Sequence, residues 1–466
     1  MSDCSSKRRG GRRGYILLFA GLMTLMILVP AMGLVVDVGM MYMSQALLSA
    51  AADASVLAGA RALSRGADDA AQHASAEAAA NTCFHSNFPA GYMGTTNLTV
   101  TSTAATDATS LRSVTTSVTV DLPLIFMRFF GSQTTRIAAS AVATRRDVNI
   151  MIIMDRSTSL TNSGACAPLK AAAVGFVEKF SEGRDNLGLI TFATSSLVDR
   201  PISTTFKTTV ENILTNVVCN GATNSSQALW QGYRELVRLN QNGALNAIVF
   251  FTDGRPTAVT ETFKILGTSG CSSTADKRGV LTSGYTGTTP TNPYGLFNEV
   301  APAQPFASDL ALISSNSGCH FSSDSRNLGD SVEKDVSYAP LTDYWGNSLT
   351  ATAYKTTTTS GAGLDVKNAQ NIENFSVNAA DHAALRIRRG DPDPTQLNHS
   401  ISGVVVYTIG LGAVDDVLLM RMSNDPALTP NPVASGRQGR YVYAADSTAL
   451  DLAFTRVASE MLRIAK

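Results

Sequence analysis

The chain has 466 residues, of which 44% are hydrophobic and only 16% are charged, and its formal net charge is zero. This length exceeds that of most single compact domains, and the balanced charge argues against a nucleic-acid-binding protein, which normally carries a basic excess. Basic residues do cluster at the start of the chain, and we predict that residues 1–13 form a short cytoplasmic tail.

A long apolar stretch follows this tail. Residues 14–36 contain no charged side chain, and their number matches what a helix needs to cross the hydrocarbon core of a bilayer. This one span predicts a single crossing, and the basic flank predicts that the N-terminus lies in the cytoplasm. A cleaved signal peptide is the alternative, but the span is long for one and no clear small-x-small cleavage site follows it. We therefore expect an uncleaved transmembrane helix.

Residues 37–145 show the pattern of a small α+β unit. Segments rich in alanine at 44–62 and 68–80 favour helix. Alternating Thr, Ser and Val residues are typical of half-exposed strands, which we predict at 97–101, 113–120 and 137–143.

Three motifs surround the apolar span. Arg12-Arg13-Gly14-Tyr15 precedes it, Val36-Asp37-Val38-Gly39 ends it, and the run Ala51 to Ala60 follows. Over roughly the first 145 residues the chain resembles the TadE/TadG-like N-terminal region of Tad (Flp) pilus-assembly proteins. The resemblance implies a bacterial inner (cytoplasmic) membrane protein whose C-terminal part lies in the periplasm or reaches the cell surface.

Three short apolar runs, each followed by polar or glycine residues, stand out in the rest of the chain. They cover Ile150–Met154, Ala247–Phe251 and Val404–Ile409, and each is typical of a strand buried on both faces. Helical periodicity separates them, most clearly over Ser225–Leu239, and a last helix is predicted from about Ser447. Strands that alternate with helices indicate an α/β fold with a parallel sheet.

The first of these strands ends in an oxygen-rich loop. Asp155, Ser157 and Ser159 follow it, Asp253 follows the second strand, and Thr223 precedes a helix. Ligands bind at the carboxyl ends of strands in open α/β sheets, and hard oxygens suit Mg²⁺ or, less specifically, Ca²⁺ or Mn²⁺. The simpler alternative is a strand end followed by a helix cap.

Together these loops resemble the metal-ion-dependent adhesion site (MIDAS) of von Willebrand factor type A domains, over residues 146–466. The resemblance implies a doubly wound, mostly parallel, Rossmann-like sheet. It also implies that Ser157, Ser159 and Thr223 supply hydroxyl ligands, and that Asp155 and Asp253 hold waters or coordinate the metal directly. The ion would then accept a carboxylate from a partner protein, such as a pilus or cell-envelope component.

An insertion interrupts this domain at about 256–370, where Gly, Ser, Thr, Asn and Pro dominate without periodicity. It starts just after the second strand, so we expect it near the metal loops. Tyr344-Trp345-Gly346-Asn347 either packs the insertion onto the domain or contacts a partner. Helix is predicted to resume over Ala379–Arg388. Arg389-Gly390-Asp391 spells an integrin-recognition tripeptide, but we interpret it as a turn that ends this helix.

The chain has six cysteines and no Cys-x-x-Cys pair, which argues against a zinc or thioredoxin-like site. Outside the cytoplasm disulfides are allowed, and Cys166 could pair with Cys219 because both lie near the proposed metal loops. Cys271 and Cys319 could close a loop in the insertion, which leaves Cys83 unpaired among the five cysteines beyond the apolar span; the sixth, Cys4, lies in the N-terminal tail. The alternative is that all six are reduced.

A metal-dependent hydrolase is a further alternative, but it needs a general base beside the ion. None of the five histidines lies in the three metal loops; they are His73, His85, His320, His382 and His399. We therefore predict a non-enzymatic, membrane-anchored protein of Tad/Flp pilus assembly or surface attachment that acts through metal-dependent protein–protein binding. A purely structural pilus-associated subunit without metal-dependent binding is the second possibility.

Overall fold

The structure is a computed structural model, and it describes residues 13–63, 65, 69–107, 111–263, 277–286, 289–297, 338–350, 355–360, 363–366, 368–392, 400–428 and 437–464. The chain divides into two compact units, which are described separately. The first unit comprises residues 1–107 and 111–145, and the second comprises 146–466 together with 108–110.

The helices of the described residues are α1 (Arg13–Ala62), α2 (Asp69–Asn87), α3 (Thr158–Asn162), α4 (Cys166–Val177), α5 (Lys207–Asn216), α6 (Ser225–Leu239), α7 (Ala369–Arg389), α8 (Asp416–Ser423) and α9 (Leu450–Ile464). The strands are β1 (Thr96–Thr106), β2 (Arg112–Pro123), β3 (Thr134–Arg145), β4 (Val148–Asp155), β5 (Asn186–Phe192), β6 (Ser196–Ser203), β7 (Leu245–Thr252), β8 (Ala258–Phe263), β9 (Lys277–Thr286), β10 (Thr289–Phe297), β11 (Thr359–Ser360), β12 (Gly363–Leu364), β13 (Val405–Leu411) and β14 (Tyr441–Ala444).

The first unit packs two helices on an antiparallel sheet in the order β1-β2-β3. Its core forms where Leu48 and Ala52 of α1 meet Phe84 and Val118. The N-terminal part of α1 stays outside this core, and α1 is long and apolar enough to cross a membrane. The predicted helix-plus-sheet unit with an apolar N-terminal helix is therefore confirmed.

The second unit is built on a six-stranded sheet in the order β14-β13-β7-β4-β5-β6. All neighbours in this sheet are parallel except β5 and β6, which are antiparallel. Strands β4, β7 and β13 are buried along their whole length, as their continuous apolar runs predict, and β5 between β4 and β6 is buried in the same way. Because β4 is central, the loop after Asp155 leaves from the middle of the carboxyl edge.

Helices cover both faces of the sheet. One apolar layer includes Phe176 of α4, Leu214 of α5 and Phe454 of α9. The opposite layer includes Leu229 of α6 and residues of α7 and α8. This arrangement confirms the predicted doubly wound α/β fold.

The insertion contains more regular structure than its composition suggests. Strands β8, β9 and β10 form an antiparallel sheet, and Val259 and Leu281 of this sheet pack against Ile372 and Phe375 of α7. Helix α7 starts at Ala369, ten residues before the predicted start at 379. The sequence obscured this start because the first half of α7 is rich in asparagine, whose side chains bond to the insertion's backbone.

The structure explains two short motifs, the aromatic cluster around Trp345 and the Arg-Gly-Asp tripeptide. Trp345 is buried in the layer formed by α6 and α7, so the aromatic cluster packs the insertion onto the domain. Gly390 ends α7 in the left-handed conformation (φ 76°), and the carbonyl oxygen of Asp391 accepts a hydrogen bond from the Tyr233 hydroxyl at 2.9 Å. The Arg-Gly-Asp sequence is therefore the predicted turn after a helix.

Candidate metal site

Asp155 is the last residue of β4, and its carboxylate is fully buried at the carboxyl edge of the sheet. Its Oδ1 accepts the backbone N–H of Ser157 at 2.7 Å, which folds the Asp-x-Ser-x-Ser loop back over the strand end. Its Oδ2 accepts the hydroxyl of Thr252, the last residue of neighbouring β7, at 2.6 Å. These two bonds fix the orientation of the carboxylate.

The two serines of the loop connect Asp155 to Asp253. The hydroxyl oxygens of Ser157 and Ser159 lie 3.0 Å apart. Ser159 also donates its hydroxyl hydrogen to Oδ1 of Asp253 at 2.6 Å. The structure therefore brings four of the five predicted ligands into one hydrogen-bonded group where two adjacent parallel strands end.

Thr223, the fifth predicted ligand, lies on a loop that is fastened to the loop after β4. The backbone N–H of Thr158 donates to the Gly221 carbonyl at 3.0 Å, and the Gly221 N–H donates to the Thr158 hydroxyl at 2.9 Å. The Thr161 hydroxyl donates to the Cys219 carbonyl at 2.6 Å. Thr223 itself is 5% exposed, and these bonds hold its loop beside the serine loop.

A disulfide reinforces this attachment. Cys166, the first residue of α4, is bonded to Cys219, as the sequence suggested. Cys83, in the other unit, is a free thiol. The proposed pair Cys271–Cys319 lies outside the described residues. The disulfide therefore ties the loop that carries Thr223 to the helix that follows the serine loop.

The first residues of the insertion form hydrogen bonds with the backbone of Thr223. The N–H groups of Thr257 and Ala258 donate to the Thr223 carbonyl at 3.0 and 3.2 Å, and the Thr223 N–H donates to the Thr257 hydroxyl at 3.1 Å. The expectation that the insertion begins near the metal loops is therefore confirmed. Thr223 is held on both sides through its backbone, which leaves its hydroxyl out of these bonds.

The electrostatics of the group suit a cation. Burial, together with the nearby charge of Asp253, raises the pKa of Asp155 to about 7. Burial also raises the pKa of Asp253. Both carboxylates thus lose hydration without gaining enough compensation from hydrogen bonds, and a divalent cation between them would offset that loss.

The available donors define what kind of ion fits. Among the described residues no three His, Cys, Asp or Glu side chains cluster in a way that could hold a metal. The group instead combines two carboxylates with serine hydroxyls, and Thr223 adds a further hydroxyl nearby. Such an oxygen set fits a hard divalent ion such as Mg²⁺ and gives it few formal charges, so these residues fit the implied metal.

Sequence reasoning missed several residues that position the site. Thr252 orients Asp155, and Thr158 and Thr161 hold the loop that carries Thr223. Thr252 could have been found, because it ends an apolar strand directly before Asp253. The roles of Thr158 and Thr161 depend on contacts with residues about sixty positions away, and no local pattern reveals them.

Comparisons with protein families identify two regions of the chain. Residues 150–255 match the model of the von Willebrand factor type A domain. The second unit of this chain therefore contains a von Willebrand factor type A domain, matched over residues 150–255. Residues 14–62 match the model described as Flp pilus-assembly TadE/G-like. The protein thus combines a Tad-type N-terminal region with a von Willebrand factor type A domain, and α1 indicates a single-pass membrane anchor.

Several solved structures are similar to this chain. The pilus adhesin SpaC from Lactobacillus rhamnosus GG is 13% identical, with 79% of this chain and 34% of that chain covered and a TM-score of 0.35. The PilB minor pilin from Streptococcus sanguinis is 13% identical, with 79% of both chains covered and a TM-score of 0.35. The vWF domain of the type V pili tip protein Mfa5 from Porphyromonas gingivalis is 12% identical, with 70% of this chain and 98% of that chain covered and a TM-score of 0.39. The match to SpaC spans about a third of that protein. No curated protein matches the chain.

Proposed function

We propose that this protein binds a protein partner through a divalent cation held by Asp155, Ser157, Ser159, Thr223 and Asp253. The observation that carries the proposal is the hydrogen-bonded group that joins Asp155 to Asp253 through the two serines. It lies at the carboxyl edge of a parallel sheet, which is where ligands bind in this class of fold.

The five residues would contribute two kinds of ligand to the cation. Asp155 and Asp253 supply the negative charge, while Ser157, Ser159 and Thr223 supply neutral oxygens. A bound Mg²⁺ would remain electrophilic and could accept a carboxylate of the partner as a ligand. Thr252 keeps the Asp155 carboxylate oriented, and the bonds around Gly221 keep the Thr223 loop close.

The Tad-type region suggests the setting of this binding. A cytoplasmic basic tail, one crossing of the inner membrane and a domain beyond it would present the site to the periplasm or to the cell surface. We therefore propose a role in Tad/Flp pilus assembly or in surface attachment, with a pilus or envelope protein as partner. We propose binding rather than catalysis, because none of the five histidines lies in the three proposed metal loops, where a general base would be needed.

A pull-down tests this function. The tagged full-length chain in detergent is incubated with an envelope extract, once with Mg²⁺ and once with EDTA. We expect a partner that is retained only with Mg²⁺ and lost with Asp155→Ala. Thr408→Val is the control, because Thr408 lies in β13, is not a proposed ligand, and loses a buried hydroxyl bond to the Leu419 carbonyl of α8. Retention that ignores both EDTA and Asp155→Ala would contradict the proposal.

The second candidate is a structural subunit without metal-dependent binding. One observation favours it: the site residues already satisfy one another, since Ser159 donates to Asp253 and Thr252 donates to Asp155. A closed network of this kind could serve stability alone. If the EDTA-treated chain keeps its partners and the pilus still assembles with Asp155→Ala, this second function is the correct one.

A further inference from the structure

The first unit carries a short apolar loop between β2 and β3. The backbone N–H of Leu124 donates to the Gln133 carbonyl at 3.0 Å, which closes the loop at its base. Inside it, residues Met127–Phe130 form a 3₁₀ turn. Ile125 is 46% exposed and Phe130 is 69% exposed. Loop tips are usually polar, so an ordered loop that presents apolar side chains points to an apolar environment.

Asp37 fastens this loop to α1. Its carboxylate is 1% exposed and accepts the backbone N–H groups of Ile125, Phe126 and Met127 at 2.9, 3.0 and 2.8 Å. Asp37 directly follows the predicted transmembrane span 14–36. A carboxylate at the edge of the hydrocarbon is costly unless it is hydrogen-bonded, and so are unpaired N–H groups. Here the Asp37 carboxylate accepts hydrogen bonds from three N–H groups, so neither the carboxylate nor these groups are left unpaired.

Gly33 shows how far the loop descends along the helix. A Cβ built on Gly33 would lie only 2.4–2.7 Å from three side-chain carbons of Phe126, so the ring rests directly on the helix at this point. Gly33 lies four residues before Asp37, which is about 6 Å along the helix axis. Phe126 therefore contacts α1 inside the span that is predicted to cross the membrane.

The surface of α1 at this level is also apolar and uncovered. Met32, Leu34, Val35 and Val36 are all exposed. The loop and this part of α1 therefore form one continuous apolar surface. If α1 crosses the membrane alone, lipid is what covers this surface. Arg128, which is exposed on the same loop, has the charge that lipid phosphates attract.

We propose that the loop 124–133 is a second membrane contact, which inserts into the boundary between lipid headgroups and acyl chains where α1 leaves the bilayer. Ile125 and Phe130 contact acyl chains, and Asp37 positions the loop for this. Two contacts would restrict the tilt of the first unit on the membrane, which a single helix cannot do. The inference rests on membrane anchoring by α1 and is independent of the metal site.

Tryptophan substitutions in the full-length chain, reconstituted into vesicles with brominated lipids, test this contact. Phe130→Trp probes the loop, and Leu25→Trp, at a position 66% exposed within the span, reports whether α1 enters the bilayer. Val142→Trp, at a position 61% exposed on β3, is the matched control outside the membrane. The signal of the parent chain, whose Trp230 and Trp345 are buried in the other unit, is subtracted.

We expect strong quenching at Leu25→Trp by lipids brominated deep in the acyl chain. At Phe130→Trp, lipids brominated near the headgroup should quench most, and Val142→Trp should not be quenched. Quenching at Leu25→Trp with none at Phe130→Trp would overturn the loop contact and leave the anchor intact. A blue-shifted but unquenched Phe130→Trp would also overturn it, because protein rather than lipid would then cover the loop. Absence of quenching at both positions would reject the anchor itself.

The role of Asp37 has its own test. Asp37→Ala, added to Phe130→Trp, removes the acceptor of three N–H groups, so we expect quenching to fall toward the level of Val142→Trp. Asp53→Ala, which removes an exposed carboxylate from the same helix, is the control and should leave quenching unchanged. Unchanged quenching with Asp37→Ala would show that Asp37 does not position the loop.

Discussion

The hydroxyl of Thr252 donates a hydrogen bond to Oδ2 of Asp155 across 2.6 Å, between the last residues of two adjacent parallel strands. The same hydroxyl oxygen accepts the backbone N–H of Gly254 at 3.2 Å. Thr252, which is not itself a proposed ligand, thus links the carboxylate at the end of β4 to the backbone of the loop after β7.

Thr252→Val tests this link because it removes the hydroxyl and nearly conserves the volume. Groups that orient metal ligands typically contribute a factor of about 10–100 to metal affinity. We expect Mg²⁺ affinity, measured by calorimetric titration, to fall by at least about tenfold. Thr408→Val, which also removes a buried strand hydroxyl, should leave the affinity unchanged. Equal affinities for the two variants would refute the positioning role of Thr252.

The disulfide should stabilise both the domain and its site. Cys166 and Cys219 are 53 positions apart, and closing a loop of this length stabilises a folded domain by about 2–4 kcal/mol. We expect the double variant Cys166→Ser/Cys219→Ser to lower the free energy of unfolding by this amount in urea titrations, and to weaken Mg²⁺ binding because the Thr223 loop loosens. Cys83→Ser should change neither property. Unaltered unfolding in the double variant would mean that the bridge does not form.

Much of the second unit follows from local sequence patterns. The apolar runs of β4, β7 and β13 identify strands because both faces of the sheet are covered, and α6 has the predicted bounds of Ser225–Leu239. The edge strands β6 and β14 are only partly buried, so their sequences lack such runs. The pattern that identifies a central strand does not exist at the edges.

Helix α7 shows why the insertion was harder to predict. Asn371 donates to the carbonyls of Thr358 and Asp365, and Asn378 donates to the carbonyls of Leu349 and Lys355. These asparagines resemble loop residues in the sequence, yet they hold the insertion's backbone on the helix. Likewise, the sequence indicates that the serines and aspartates of the proposed metal loops lie close together, while the roles of Thr158 and Thr161 depend on distant contacts.

Glu261 should make the stability of the second unit depend on pH. Burial, followed by the charge of Asp343, raises the pKa of Glu261 well above its usual value, and burial raises the pKa of Asp343 to about 7. The folded chain therefore binds more protons than the unfolded chain once the pH exceeds the unfolded carboxyl pKa. The stability contributed by Glu261 should be fully present below that value and should be lost as the pH rises through the folded pKa.

Glu261→Gln removes the titrating group at this position. We expect its free energy of unfolding, followed by the fluorescence of Trp230 and Trp345, to fall less between pH 5 and pH 8 than that of the parent chain. Each unit by which the pKa is raised corresponds to roughly 1.4 kcal/mol. Asp451→Asn, at an exposed position of α9, serves as the control. Identical pH profiles for Glu261→Gln and the parent chain would show that Glu261 is not protonated in the folded state.

Thermal unfolding with increasing Mg²⁺ is the most direct test of metal binding by this site. A ligand that binds only the folded state stabilises it by about 2.7 kcal/mol at a hundred times its dissociation constant. We therefore expect Mg²⁺ to raise the Tm of the full-length chain, and EDTA to reverse the rise. With Asp155→Ala the rise should disappear, and with Asp451→Ala it should persist. Equal increases for the parent chain and Asp155→Ala would contradict a metal site at Asp155.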